Sequence, residues 1–214
     1  MTTESSVRPH RARPSMLPPC IPADEAKRLS ALHRLGILDT PPSESFDRIT
    51  SLAAQALRVP ILLLCLVDES RQWFKSSVGL ETTETSRDIS FCGHVVFDRR
   101  PLSVVDATQD QRFADNPLVT GAPHIRAYMG VPLFTLDAQP IGTICAIDVQ
   151  PRQFREQEVE TLTKFAKLVE ETLHAMELAA EMAAITQSWR RTASGLPRLR
   201  RLKHFAPNGS GPKT

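Results

Sequence analysis

The sequence has few of the features that mark a membrane, secreted or disulfide-rich protein. Its longest apolar run, PILLLCLV at 60–67, is far shorter than the roughly 20 residues of a membrane-spanning helix. No stretch near the start is typical of a secretion signal. The 4 cysteines among 214 residues include no Cys-x-x-Cys pair. We therefore expect a cytoplasmic protein, with no membrane contact and no disulfide framework.

Acidic residues are missing from both ends of the chain, apart from a single glutamate. Residues 1–19 hold three arginines and that glutamate, and the chain from Met182 onward holds seven Lys or Arg and no acid. The segment between them is acidic. We predict a disordered Pro/Arg-rich segment at 1–22, a folded domain at 23–186 and a basic disordered tail at 187–214.

The basic tail has two interpretations. It is either a solvated end without function, or an electrostatic contact for nucleic acid or an acidic protein. Trp189 and Phe205 are too isolated to stack bases in series, which weakens the nucleic-acid interpretation.

The middle of the chain alternates helical and strand patterns. Apolar spacing predicts helices over 24–35, 43–57 and 152–189, and a short helix that starts after Ser90. Strand patterns lie at ILLLCLVD, RQWFKSSVG, LSVVDA, YMGVPLFT and PIGTICAID. These patterns predict an α+β fold with a mostly antiparallel sheet and with helices on one face. Cys65 and Cys145 lie inside two of these runs, where we expect small buried apolar residues.

The last helix carries an apolar heptad, whose central positions are Leu162, Val169, Leu173 and Met176. The same spacing fits a helix that packs on the domain's own sheet and a coiled coil that forms a homodimer. Both interpretations hold together if the first turns lie on the sheet and the last turns contact a partner.

Several motifs occur in the order found in GAF domains. They are RLGILDTPPSESFDRIT, VPILLLCLVDESRQWFKSSVGL, ETSRDISFCGHVV, PLSVVDATQDQRFADNPLVTGAPHIRAYMGVPL and IGTICAIDVQPRQF. The chain resembles this family over residues 27–183, in the subtype at the input end of bacterial sensor histidine kinases and diguanylate cyclases. The resemblance implies a GAF-like central antiparallel sheet of five or six strands, N-terminal helices and a long C-terminal helix. It also implies a sensing cavity on one face of the sheet, and terminal helices that dimerise and transmit the signal.

The chain carries no recognisable output motif of a kinase, cyclase or DNA-binding protein. We therefore expect a stand-alone, non-catalytic sensory module that acts through a partner such as a kinase or cyclase. Family membership does not name the small-molecule ligand.

Cys92 and His94, with His124 as a third group, are the residues most suited to metal chemistry. A thiolate and two imidazoles can bind zinc or haem iron, but no fourth ligand is evident. Phytochrome-type relatives would imply a bilin on such a Cys beside a His. Relatives that reduce methionine sulfoxide would imply a small thiol-dependent redox enzyme, but the spacings between Cys65, Cys92 and Cys145 do not match a resolving pair. We expect no cofactor.

The segment 106–128 offers the better ligand site, because it combines charge, hydrogen-bond donors and aromatic rings on loops. The alternative is a structural lid held by Asp and Asn side chains. On a neighbouring strand, one of Trp73 and Phe74 must face solvent or a pocket. The candidate ligand-binding residues are Trp73, Cys92, His94, Asp106, Phe113, Asn116, His124, Arg126 and Tyr128.

Overall fold

The computed structural model describes residues 16–194. Its helices are α1 (Glu25–Arg34), α2 (Glu44–Leu57), α3 (Phe91–Asp98), the short α4 (Pro117–Thr120) and α5 (Glu156–Ser194). Its strands are β1 (Ile61–Val67), β2 (Arg71–Val78), β3 (Glu84–Ser86), β4 (Leu102–Val104), β5 (Ala127–Phe134) and β6 (Pro140–Asp148). No helix in this range is long and apolar enough to cross a membrane.

The strands form one six-stranded sheet in the order β3-β2-β1-β6-β5-β4, and all neighbours are antiparallel. β1 and β6 lie at its centre and are buried along nearly their whole length, as their continuous apolar runs predict. The prediction of an α+β fold on an antiparallel sheet is confirmed. The short edge strand β3 and the short helix α4 lie in segments for which the sequence patterns predicted neither a strand nor a helix.

The sheet separates two apolar cores. On one side, called the helical face, α1, α2 and α5 cover the alternate residues Leu62, Leu64 and Leu66 of β1. On the other side, called the cavity face, α3 and the segment 105–126 cover Leu63 and Cys65. Three long helices therefore share one face, as predicted, while α3 adds helical cover to the irregular segments on the other.

The first turns of α5 pack on the domain's own sheet. Leu162, Val169 and Leu173 are at most 1% exposed and belong to the core of the helical face, whereas Met176 is 38% exposed. The assignment of the first three residues to a dimer contact is therefore corrected. An amphipathic helix on a sheet and a coiled-coil seam use the same spacing, and here the sheet takes this stripe.

Residues 16–22 are in contact with the domain, although their composition placed them in the N-terminal segment. The Leu17 amide donates to the Arg112 carbonyl over 3.3 Å, and Pro19 is buried. A Cβ on Gly93 would come within 2.6 Å of the Pro19 ring, so glycine lets this segment approach α3 closely. Residues 1–15 and most of the predicted basic tail (195–214) lie outside the described residues.

Candidate functional site

A small, partly open cavity lies on the cavity face, between the sheet, α3 and the lid, by which we mean residues 105–126. Its free volume is about 30 Å³, which is room for about two water molecules. Most of its lining is apolar. The lining residues are Ile61, Leu63, Gln72, Phe74, Leu80, Thr85, Phe91, Cys92, Leu118, Pro123, Ile125, Tyr128, Cys145 and Ile147.

One buried amide organises the polar part of the cavity wall. The Gln72 side-chain oxygen accepts hydrogen bonds from the Ser90 hydroxyl at 2.5 Å and from the Cys65 thiol at 3.5 Å. Its nitrogen donates to the Thr85 hydroxyl at 2.5 Å. Ser90 is also the N-cap of α3 and accepts from the Gly93 amide at 2.9 Å. The network thus joins β1, β2, β3 and the start of α3.

Tyr128 brings a hydroxyl to the thiols in this wall. It is almost fully buried, and its hydroxyl donates to the Cys92 sulfur over 3.4 Å. The ring lies over Gly130, where an added Cβ would be 2.2 Å from the Tyr128 oxygen. Gly130 is the cross-strand neighbour of Cys145. Glycine at this position therefore makes the space that the phenol occupies.

The lid is held by its own polar side chains. Asp106 accepts from the Thr108 amide and hydroxyl, and Asp110 accepts from the guanidinium and amide of Arg112. The hydrogen bonds from Arg112 lower the pKa of Asp110, against the effect of burial. These contacts are local turns in which the side chain bonds to the chain nearby, so Asp106 is part of the lid's own structure and not of the cavity.

Two further predicted residues fasten the lid to the body of the domain. Asn116 caps α4 by accepting from the Leu118 amide, and its side-chain nitrogen donates to the Ile89 carbonyl at 2.9 Å. Phe113 stacks on Phe91 with ring centroids 3.9 Å apart. Neither Asn116 nor Phe113 lines the cavity.

His124 and Arg126 lie at the end of the lid, outside the cavity. His124 is exposed, with a left-handed φ of 62°, directly after the cis peptide between Ala122 and Pro123. Arg126 donates to the carbonyls of Val119 and Ile125, both at 3.0 Å. Its guanidinium therefore holds the backbone of the lid.

His94 and Trp73 also point away from the cavity. The His94 ring contacts the Leu17 carbonyl at 3.1 Å and the edge of Phe113, and burial lowers its pKa. Cys92, two residues earlier, faces the cavity, so the two side chains do not converge on one ion. Trp73 lies in the core of the helical face, while its neighbour Phe74 lines the cavity. Within residues 16–194 no group of three His, Cys, Asp or Glu side chains is placed to hold a metal.

The structure thus brings only Cys92 and Tyr128, of the nine candidate residues, to the cavity wall. The sequence patterns did not indicate Gln72, Thr85 or Phe91 as cavity residues, nor that Cys145 would join them. Strand alternation carried part of this signal, because Gln72 and Phe74 share one face of β2. The other cavity residues come together because β1, β6 and α3 converge in the fold. No local pattern in the sequence indicates this convergence.

Comparison with known proteins agrees with this architecture. The GAF domain model matches residues 41–173. A cyclic di-GMP phosphodiesterase of Pseudomonas aeruginosa is 39% identical over 162 residues, which are 75% of this chain and 28% of that protein. The chain therefore spans only about a quarter of that relative's length.

Two solved structures share the fold at low sequence identity. The GAF domain of an Acinetobacter phosphoenolpyruvate-protein phosphotransferase is 22% identical, with a TM-score of 0.53 over 73% of this chain and 95% of that one. The free methionine-R-sulfoxide reductase of Neisseria meningitidis is 19% identical, with a TM-score of 0.54 over 72% of this chain and 92% of that one. By sequence match and by fold, this chain belongs to the GAF domain family.

Proposed function

We propose that this chain is a sensory module in which a compact molecule binds in the cavity and the response reaches a partner through α5. The observation that carries the proposal is that strand β5 contacts both the cavity and helix α5. Tyr128 near the start of β5 contacts the cavity. At the other end, the Phe134 amide donates to Glu170 of α5 at 2.9 Å, and its carbonyl contacts His174 at 3.0 Å.

The composition of the cavity wall supports one class of ligand. Its lining favours a small, mainly apolar molecule with one hydrogen-bonding group directed at Gln72 or Tyr128. A ligand with a ring needs more than 30 Å³, so the lid residues Leu118 and Ile125 would have to move outward. The lid is the part of the wall best suited to this movement, since its hydrogen bonds are mainly local.

The ligand proposal is tested with phenol as the probe and the full chain as the receptor. We expect phenol to raise the melting temperature, because saturation at 100 times the dissociation constant adds about 2.7 kcal/mol of stability. Ile125→Trp fills the cavity from the lid and should abolish the shift. Leu52→Trp adds the same ring at a half-exposed position of α2 and should leave the shift unchanged. Native mass spectrometry of the purified protein would detect a retained molecule. Absence of both a shift and a retained molecule contradicts the proposal.

We also propose that α5 forms a homodimer through a different stripe from the one that the heptad indicated. Leu178, Met182, Ile185 and Trp189 follow one another at spacings of four, three and four, and each is at least half exposed. This is the spacing of a coiled-coil seam, and an identical helix supplies a matching surface.

Sedimentation of the full chain at high micromolar concentration tests the dimer. Ile185→Asp should convert a dimer to a monomer, whereas Ala184→Asp, on the other side of the helix, should not. A monomeric wild-type protein would contradict the proposal. For the output we propose a signalling partner such as a kinase or cyclase, in line with the resemblance and with the phosphodiesterase name of the matched relative.

A further inference from the structure

Three of the four cysteines meet in one buried cluster, although 27 and 53 residues separate them along the chain. Cys65 comes from β1, Cys145 from β6 and Cys92 from α3, and all three are buried and free. The sulfur atoms of Cys92 and Cys145 are 3.8 Å apart. A disulfide needs a sulfur separation of about 2.05 Å, so a small approach of α3 to β6 is sufficient.

This pair of thiols forms part of the cavity wall. Cys92 and Cys145 both line it, and Cys65 does not. In this conformation a free volume of about 30 Å³ accepts a molecule of two heavy atoms and excludes an amino acid or an organic peroxide. Hydrogen peroxide has this size, and it meets hydrogen-bonding groups here in Gln72, Thr85 and Tyr128.

The surroundings distinguish Cys92 from its two neighbours. Hydrogen bonds from Cys145 and Cys65 lower the pKa of Cys92, and Tyr128 donates to the same sulfur. Interaction with Cys92 and burial raise the pKa of Cys145, and burial raises the pKa of Cys65. Cys92 is also the second residue of α3, where the helix dipole favours a thiolate. Cys92 is therefore the thiol that ionises first.

A buried hydroxyl also lies beside the pair. Thr143 lies two residues before Cys145 on β6, and its side chain is on the same side of the strand. Its hydrogen bonding lowers the pKa of Cys92 and acts in the same direction on Cys145. A hydroxyl donor at this position stabilises the Cys92 thiolate in addition to Tyr128.

We propose that Cys92 and Cys145 are a redox-active pair that hydrogen peroxide oxidises through the cavity. The Cys92 thiolate attacks one peroxide oxygen, the O–O bond breaks, and the departing hydroxide takes up a proton and leaves as water. The sulfenic acid on Cys92 then reacts with the Cys145 thiol. The S–S bond forms, the S–O bond breaks, and the hydroxide leaves with the Cys145 proton as a second water. Two thiols lose two electrons, and one peroxide gains them.

The test uses the reduced full chain, hydrogen peroxide and peptide mass spectrometry after alkylation. We expect a disulfide between Cys92 and Cys145 that forms at least about tenfold faster than oxidation of the exposed Cys20, because the cavity holds the peroxide beside a sulfur that Tyr128 hydrogen-bonds and that has a second thiol 3.8 Å away. Cumene hydroperoxide exceeds the free volume of the cavity, so it should oxidise the pair more slowly, relative to Cys20, than hydrogen peroxide does.

Variants assign the roles of the two thiols. Cys145→Ala should leave a sulfenic acid on Cys92 that dimedone labels, and Cys92→Ala should abolish both the label and the disulfide. Cys65→Ala is the matched control, which removes a thiol of the same cluster and should leave the disulfide intact. Tyr128→Phe should slow the oxidation of Cys92 severalfold, because the sulfur loses its hydroxyl donor.

The result that overturns the proposal comes from the wild-type protein and does not depend on any variant folding. If Cys20 is oxidised while Cys92 and Cys145 react only in urea, the cluster is an inert part of the core. This outcome is independent of the phenol experiment, since that experiment measures ligand binding and not thiol chemistry.

Discussion

The two faces of the sheet are built from the same strands, but their side chains differ in chemical character. Along β1, Leu62, Leu64 and Leu66 enter the helical face, while Leu63 and Cys65 enter the cavity face. The helical face is filled mainly by aliphatic side chains. The cavity face holds thiols, a phenol and a buried amide around free volume. The first face therefore contributes mainly to stability, whereas the second carries the polar groups and thiols of the proposed sites.

The rim of the helical face contains a buried ion network that fastens α1. Arg28 is fully buried, and it donates to both carboxylate oxygens of Glu25 and to the Val67 carbonyl. Arg87, from the turn before α3, donates to Glu25 as well. Glu25 thus joins elements from both sides of the sheet through charge, whereas the polar groups that line the cavity are neutral.

The largest expected effect comes from truncating equivalent leucines on the two faces. Leu66→Ala removes a fully packed side chain, and we expect a loss of about 4 kcal/mol of unfolding free energy. The Leu63 side chain borders existing free volume, so Leu63→Ala removes fewer contacts. We expect this variant to lose about 2 kcal/mol of unfolding free energy. Chemical denaturation of both variants measures the difference. Equal losses would mean that the two faces are packed alike.

A smaller effect is expected for the ion network, and it depends on pH. Burial alone raises the pKa of Glu25, but hydrogen bonds from Arg28 and Arg87 outweigh it and lower the pKa from 4.5 to about 2. A carboxylate with a depressed pKa stabilises the fold above its unfolded value, and this contribution is lost as the pH falls from about 4.5 to 2.

Glu25→Gln leaves Arg28 buried without a counter-ion and should cost about 3 kcal/mol at pH 7. Denaturation curves between pH 2 and 7 should show that the difference between wild type and variant shrinks as the pH falls through that range. Glu44→Gln, in an exposed pair with Arg48, is the control and should change little. A difference that does not vary with pH would assign the loss at Glu25 to packing.

The smallest effect on global stability should come from the lid. Asn116→Ala removes a helix cap and the hydrogen bond to Ile89, which together contribute about 1–2 kcal/mol. Hydrogen exchange should increase in residues 105–126 and stay unchanged in β1 and β6. Asp115→Ala, at the exposed neighbouring position, is the control. If exchange rises across the whole sheet, the two faces are not independent.

Much of the fold was accessible from the sequence, because its signals are local. The apolar runs of β1 and β6 and the Ser90 cap of α3 each lie within about ten residues, and the structure has all of them. The site was less accessible. Asp106, Asn116 and Arg126 are polar side chains on loops, which suggests a ligand, yet here they satisfy the backbone of the lid. Composition does not separate these two uses of a polar residue.

By itself, the sequence determined that this chain would form an α+β domain with central strands buried on both sides, since apolar periodicity is a property of neighbouring residues. Only the tertiary structure decided which residues meet. Antiparallel pairing sets Leu63 opposite Cys145 and Cys65 opposite Thr143, and the docking of α3 adds Cys92. The tertiary structure likewise decided that the sheet covers the first turns of α5. The apolar stripe of this helix is able to pack on a sheet or on a partner helix, and its sequence does not distinguish the two.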